Sequence, residues 1–313
     1  ILSPSRTPIT YDVSPPTFSE FVSVIRSLKR RKAPGPDSVP NEIFQAFYGE
    51  TLDPLHELLC TWWTEKSMPS HLLEARVVLI FKKGKPDDFS NYRPISLLNT
   101  VYKIFASLGH KRIKQALDPH LHKLQFGFRM RRGTADAIHS IRRCMDVGEA
   151  SQTPVHLLPL DWEKAFDKVI HTGLFNCLHR AQIDPQIIAL VQMLYDHPTF
   201  YTEQFGSQSS RFEQHTGIRQ GCPLSPYLFL IVMHTIFHDV HDLMRDTLAQ
   251  SRIQHIHFEE ILYADDTICM STDPRTLTML LQTIEAVSAD YGLFLNTDKC
   301  EVLSIQRPSL DDP

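Results

Sequence analysis

Apolar residues recur at helical spacing through much of this chain. Phe21, Val22, Ile25 and Leu28 mark one face of a helix between Phe18 and Lys32, and Ala33-Pro34-Gly35-Pro36-Asp37 stops it. A helix over 41–48 capped by Asn41, and another over 52–65, are expected next. Arg76–Phe81 is short and rich in β-branched residues, which predicts a strand, followed by a polar basic turn over 82–90. Residues 95–117 and 135–146 read as helical. Val155–Leu160 predicts a strand despite Pro159, which removes a ladder donor and suggests an edge or a bulge. Helix over 174–194, a polar hairpin over 200–212, and a loop over 217–225 leading into a helix over 227–241 complete the middle. Then come an apolar hairpin over 260–271, a helix over 275–291 and a strand over 301–305. Residues 1–17 read as an extended lead-in and 306–313 as a loose tail.

This alternation, without any internal repeat, predicts an α+β protein with an antiparallel sheet packed on helices. The 42% apolar content of the 313 residues suits a packed globular chain. Strings of about 18 apolar residues are absent, so no membrane span is expected. The N-terminus has no secretory pattern and no initiator Met, which suggests an intracellular product, nuclear or cytoplasmic, and a piece of something longer. Six cysteines without C-x-x-C spacing predict free thiols rather than a zinc site or disulfides. The net charge of −4 is low for a nucleic-acid binder, but the distribution is uneven. Lys29–Lys32, Lys82-Lys83 with Lys85, Lys111-Arg112 and Arg129 with Arg131-Arg132 all lie in the first half. A basic front half can track phosphates while acids further on hold cations.

The acids of interest are Asp265 and Asp266, adjacent within the apolar hairpin, and Asp161, which ends the strand over 155–160. Crowded carboxylates resist ionisation unless a counter-charge is present, and divalent cations are the most effective one. Three acids at strand ends can hold two hard cations, the arrangement that supports phosphoryl transfer. Taken alone, Asp265-Asp266 reads equally well as an exposed turn.

The surrounding motifs stand in one order. Arg30 to Asp37 comes first, then Val78-Leu79-Ile80 with Lys82, and Asn91-Tyr92-Arg93-Pro94-Ile95-Ser96-Leu97. Gln125-Phe126-Gly127-Phe128 with Gly133-Thr134 follows, then Asp161 to Asp167. Gly217-Ile218-Arg219-Gln220-Gly221-Cys222-Pro223-Leu224-Ser225-Pro226, Tyr263-Ala264-Asp265-Asp266 and Leu295-Asn296 with Lys299 complete the series. This series resembles the reverse transcriptase domain of non-LTR (LINE-type) retrotransposons, related to group II intron reverse transcriptases, over residues 18–305.

The resemblance implies a right-hand polymerase with fingers over 18–150 and a palm carrying the metal site over 151–305. It also implies a missing thumb, because the chain ends soon after Ile305, and further polyprotein domains, including an endonuclease, beyond this piece. The implied activity is RNA-directed DNA synthesis on an RNA template with a DNA primer and dNTPs. Two Mg²⁺ ions, or Mn²⁺, are the implied cofactors. Asp161, Asp265 and Asp266 would hold the metals together with the main-chain carbonyl of Trp162, and Lys299 would be the acid for the leaving pyrophosphate. Lys82 or Lys83, Arg93, Phe166, Gln220 and Gly221 would contact the nucleotide, and Arg219 template or primer. Phe166 would exclude a 2′-hydroxyl by filling its space. Two alternatives stay open at this level: a non-catalytic nucleic-acid-binding remnant, favoured by the missing thumb, and an RNA-dependent RNA polymerase, disfavoured by Phe166.

Overall fold

The computed structural model describes residues 9–47, 49–204 and 206–305. In chain order the helices are α1 (Phe18–Ser27), α2 (Asn41–Ala46), α3 (Asp53–Glu65), α4 (Thr100–Leu117), α5 (Thr134–Ala150), α6 (Ala165–Lys168), α7 (His171–Arg180), α8 (Pro185–Leu194), α9 (Ser225–Gln250) and α10 (Pro274–Ala289). The strands are β1 (Ala75–Phe81), β2 (Tyr92–Leu98), β3 (Val155–Leu160), β4 (Thr199–Gln204), β5 (Ser207–Gln208), β6 (Phe212–Glu213), β7 (Glu260–Tyr263), β8 (Asp266–Ser271) and β9 (Leu303–Ile305). Within the described residues no helix is long and apolar enough to cross a membrane. All six cysteines are free.

The chain separates into two compact units. The first holds Asp118–Ala181 and the chain from Phe229 onward; the second holds the described chain up to Leu117 and Gln182–Leu228. The partition interleaves along the sequence, so a single cut near residue 150 does not follow it.

In the first unit the sheet order is β7-β8-β3-β9, all antiparallel. The amphipathic helix α5 packs on β3 and β7, and α10 packs on β3 and β8. Between α5 and the sheet lies a core of Phe126, Ala137, Cys144, Val155, Leu157, Ile253, Ile261 and Met270. Alternation places Val155 and Leu157 on the same face of β3, toward that core. Pro159 pairs with Ile268 of β8, but β9 reaches only as far as Leu157 on the other flank. The proline therefore sits where the strand has a strand partner on one side only, which is where a missing N–H is tolerated.

In the second unit the order is β2-β1-β4-β5, with β6 also paired to β4. β1 and β4 run parallel, so the polar hairpin over 200–212 joins the sheet of β1. The expected helix over 95–117 is corrected here. Residues 92–98 form β2, an edge strand antiparallel to β1, and the helix starts at Thr100. Pro94 disfavours helix for Arg93, and an edge strand accepts a proline. The helix expected over 174–194 is two: α7 ends at Arg180, and α8 starts afresh with Pro185 at its first position and Asp184 accepting from the Gln186 N–H at 2.8 Å. Asn41 is not a cap. Pro40 occupies that position, while the buried Asn41 amide donates to the Lys29 carbonyl at 2.8 Å and accepts from the Thr100 hydroxyl at 3.0 Å. The end of that helix at Tyr48, the start of the lead-in and the tail from 306 lie outside the described residues.

Candidate active site

β7 and β8 form a hairpin in which Tyr263 pairs with Asp266, leaving Ala264 and Asp265 as its two turn residues. Both carboxylates are exposed at the tip while Ile261, Leu262 and Thr267 below them are buried. β3 pairs with β8 up to Leu160 opposite Thr267. One step further along that register, Asp161 comes level with Asp266. Three acids 105 residues apart in sequence at their extremes, from 161 to 266, thus reach one end of one sheet because their strands are neighbours.

Asp161 is fixed at both ends of its side of the sheet. Its carbonyl accepts from the Asn296 N–H at 2.8 Å, and its Oδ2 accepts from the Lys299 Nζ at 2.8 Å. The single helical turn Thr297–Lys299 delivers that ammonium. Trp162, buried, bridges Leu295 antiparallel, and the bonds of the bridge fall on its neighbours: Asn296 N–H to Asp161, and Glu163 N–H to the Phe294 carbonyl at 2.9 Å. In such a pair the central carbonyls point outward, so this bridge leaves the Trp162 carbonyl unused.

The pKa of the Asp266 carboxyl is raised, by partial loss of solvent first and then by the negative charges of Asp265 and Asp161. All donors here are oxygens, the ligand type hard divalent cations take, and the crowding at Asp266 is the field such a cation relieves. The residues therefore fit divalent metal. Among the described residues, however, these oxygens are not the tightest set of ligand atoms. His241, Glu259 and Glu260 bring theirs within 4.8 Å of one another. That set is already engaged within the protein: Arg252 binds Glu259, while His122 Nε2 and His241 Nε2 lie 2.9 Å and 2.8 Å from the two oxygens of Glu260. It works as an ion-pair network under β7. Sequence reasoning missed it, although two glutamates leading into an apolar strand were a signal that partners must exist.

Phe166 on α6 is half-buried. Its ring stacks on Phe229 at 4.5 Å between centroids, and the exposed Phe128 meets it edge-on at 6.3 Å. Phe229 thus supports one face of the ring.

The second unit carries the other expected contacts. Arg93 lies opposite Ile80, and the Lys82 N–H donates to the Asn91 carbonyl at 2.8 Å. Cross-strand partners share a face, and residues two apart share a face, so exposed Lys82 and exposed Arg93 stand together. Gly221 has φ +129°, and a Cβ built there would lie 2.3 Å from the Ser96 carbonyl oxygen. The close approach this glycine permits is to β2, where the Ser96 N–H also donates to the Gln220 carbonyl at 2.7 Å. Gly221→Ala should cost about 1–3 kcal/mol in chemical denaturation, from overpacking and strain together.

Arg219 is corrected. It is 1% exposed, donates to the Leu73 carbonyl at 2.5 Å and to the Gln214 side chain at 3.3 Å, and lies over the Tyr102 ring. A guanidinium so enclosed holds the loop together and does not reach a template.

The fold is that of a nucleic-acid polymerase. It is similar to apo telomerase from Candida tropicalis truncated from the C-terminal domain, with TM-score 0.55 and 12% identity over 86% of this chain and 56% of that one. Residues 80–309 match the family described as reverse transcriptase (RNA-dependent DNA polymerase), and the chain belongs to that family. Relatives include a transposon TX1 149 kDa protein of Xenopus laevis (29% identical over 91% of this chain) and the RNA-directed DNA polymerase from mobile element jockey of Drosophila melanogaster (27% over 91%). A Pol polyprotein from a type-1 R2 element of Nasonia vitripennis is 23% identical over 93% of this chain. The chain spans 22%, 31% and 27% of these relatives' lengths, respectively.

Proposed function

We propose that this reverse transcriptase domain extends a DNA primer on an RNA template by transferring nucleotides from dNTPs to the primer 3′-hydroxyl. The observation that carries the reading is the meeting of Asp161, Asp265 and Asp266 at one sheet end, where Asp266 already feels the charge of the other two. Asp161, Asp265, Asp266 and the Trp162 carbonyl would hold two Mg²⁺ ions or Mn²⁺. Bound there, such ions make the primer hydroxyl a better nucleophile and neutralise charge on the triphosphate.

The chain's own residues do the rest. Lys299 neutralises Asp161 in the absence of cations and, once released from it, can give a proton to the leaving pyrophosphate. Lys82 and Arg93 grip the outer phosphates as a point charge and a fork. Gln220 and Gly221 line the nucleotide's approach. Phe166, backed by Phe229, closes the space a 2′-hydroxyl would occupy. In this reading the β3-β7-β8-β9 unit is the palm, and the unit containing β1 and β2 supplies the fingers. Its work is placed inside the cell, as part of a longer mobile-element protein.

Extension of a DNA primer on an RNA template, with dNTPs against rNTPs, tests the reading. Preference for rNTPs would move it to RNA synthesis; duplex binding without any extension would favour the non-catalytic remnant. Phe166→Ala should lower selectivity for dNTPs over rNTPs by about tenfold or more, read as the ratio of kcat/KM values.

A further inference from the structure

We infer that Gln125 is a positioning residue that holds the catalytic hairpin in a conformation its own sequence disfavours; the inference rests on the assignment of Asp265 and Asp266 above. Ala264 has φ +59°, while Asp265 does not have positive φ. A positive φ at the first central position alone is the pattern of hairpins that take glycine there, because a Cβ opposes it. This chain places alanine in that seat, 5% exposed, directly before the metal-binding acid.

The support comes from a segment far away in sequence. Leu124 to Gly127 runs along β7: the Phe126 N–H donates to the Leu262 carbonyl at 2.8 Å, the Leu262 N–H to the Leu124 carbonyl at 3.0 Å, and Gln125 bridges Leu262 in parallel. The Gln125 side chain, 3% exposed, reaches the turn itself. Its Oε1 accepts from the Ala264 N–H at 3.0 Å and from the Gly127 N–H at 2.8 Å, and its Nε2 donates to the Ala264 carbonyl at 3.4 Å. One amide therefore satisfies both backbone groups of the disfavoured residue. Gly127 allows the contact, since a Cβ there would lie 2.2 Å from the Ala264 nitrogen. Buried backbone groups at a turn need such partners, and the partner fixes the peptide that aims Asp265.

The test uses the whole chain, Gln125→Ala, Ala264→Gly and the double variant, with two readouts. The first is amide hydrogen exchange of peptides spanning 262–267, compared with peptides from α10. The second is Mn²⁺ binding by calorimetry. Gln125→Ala should speed exchange at 262–267 while α10 keeps its protection, and should weaken Mn²⁺ binding by about tenfold, the scale of losing two buried hydrogen bonds. Ala264→Gly removes the Cβ that makes the clamp necessary, so in the double variant part of that loss should return. Wild-type exchange and Mn²⁺ binding in Gln125→Ala would overturn the proposal, as would an equal loss with and without Ala264→Gly. Should Gln125→Ala unfold globally, Gln125→Met keeps the volume without the hydrogen bonds and takes its place. Asp265→Asn separates the two levels: Mn²⁺ binding that survives it defeats the assignment of the acids, while the exchange data still decide the clamp.

Discussion

Asp265→Asn should lower RNA-templated primer extension by about a thousandfold or more, with nearly unchanged thermal unfolding. The substitution keeps shape and volume and removes one charge at an exposed turn. Folding loses little, because the side chain is solvated and its neighbour Asp266 gains from the removal of a like charge. Chemistry loses much, because in the proposed assignment the acid at the tip would hold the cations that activate the primer hydroxyl. Asp266→Asn should cost less, on the order of tenfold to a hundredfold, because the proposed assignment gives Asp265 the larger part in holding the cations. Primer extension that withstands Asp265→Asn would sink the metal assignment. Equal effects at both positions would remove the distinction between them.

The second large effect is on stability. The combined His122→Ala and His241→Ala variant should destabilise the fold by about 3–5 kcal/mol, measured by denaturant unfolding. Glu260 is 1% exposed at the start of β7, four residues ahead of the turn. Burial acts to raise its pKa, but hydrogen bonds and charge from His122 and His241 outweigh burial and bring it down to about 2. Removing both histidines strands a carboxylate in the interior. Burial likewise acts to lower the His241 pKa, but Glu260 and Glu259 outweigh it, so the net shift is upward.

The signs fix the pH window. The depressed Glu260 pKa contributes stability that is complete above its unfolded value of 4.5 and fades as pH falls toward about 2. The raised His241 pKa contributes stability that is complete below 6.5 and is lost as pH rises through its higher folded value. Unfolding midpoints should therefore fall on the alkaline side, and His241→Ala should flatten that limb. A wild-type alkaline limb in His241→Ala would overturn this account.

Local pattern carried several elements well. The start of α1 at Phe18, the strand β3 over Val155–Leu160 and the hairpin over 260–271 are encoded within a few residues of where they act. It failed where neighbours decided. Residues 92–98 have enough apolar content to suit a helix, and became a strand because β1 offered a ladder. Arg219 looks like any loop arginine in sequence; only the Leu73 carbonyl and the Tyr102 ring in the folded chain show that it is enclosed.

By itself, then, the sequence determined the class of the protein. The ordered motifs, the doublet at the hairpin tip and the acid ending β3 are short-range features, and each states its chemistry through residue type and strand-end position. Tertiary structure alone decided what those residues meet. The register of β3 on β8 brings Asp161 level with Asp266, the turn at 297–299 sets Lys299 on Asp161, and Gln125 crosses 139 residues of sequence to hold Ala264. Such partners depend on which strands and segments lie side by side, and a periodicity of two or 3.6 residues carries no record of that choice.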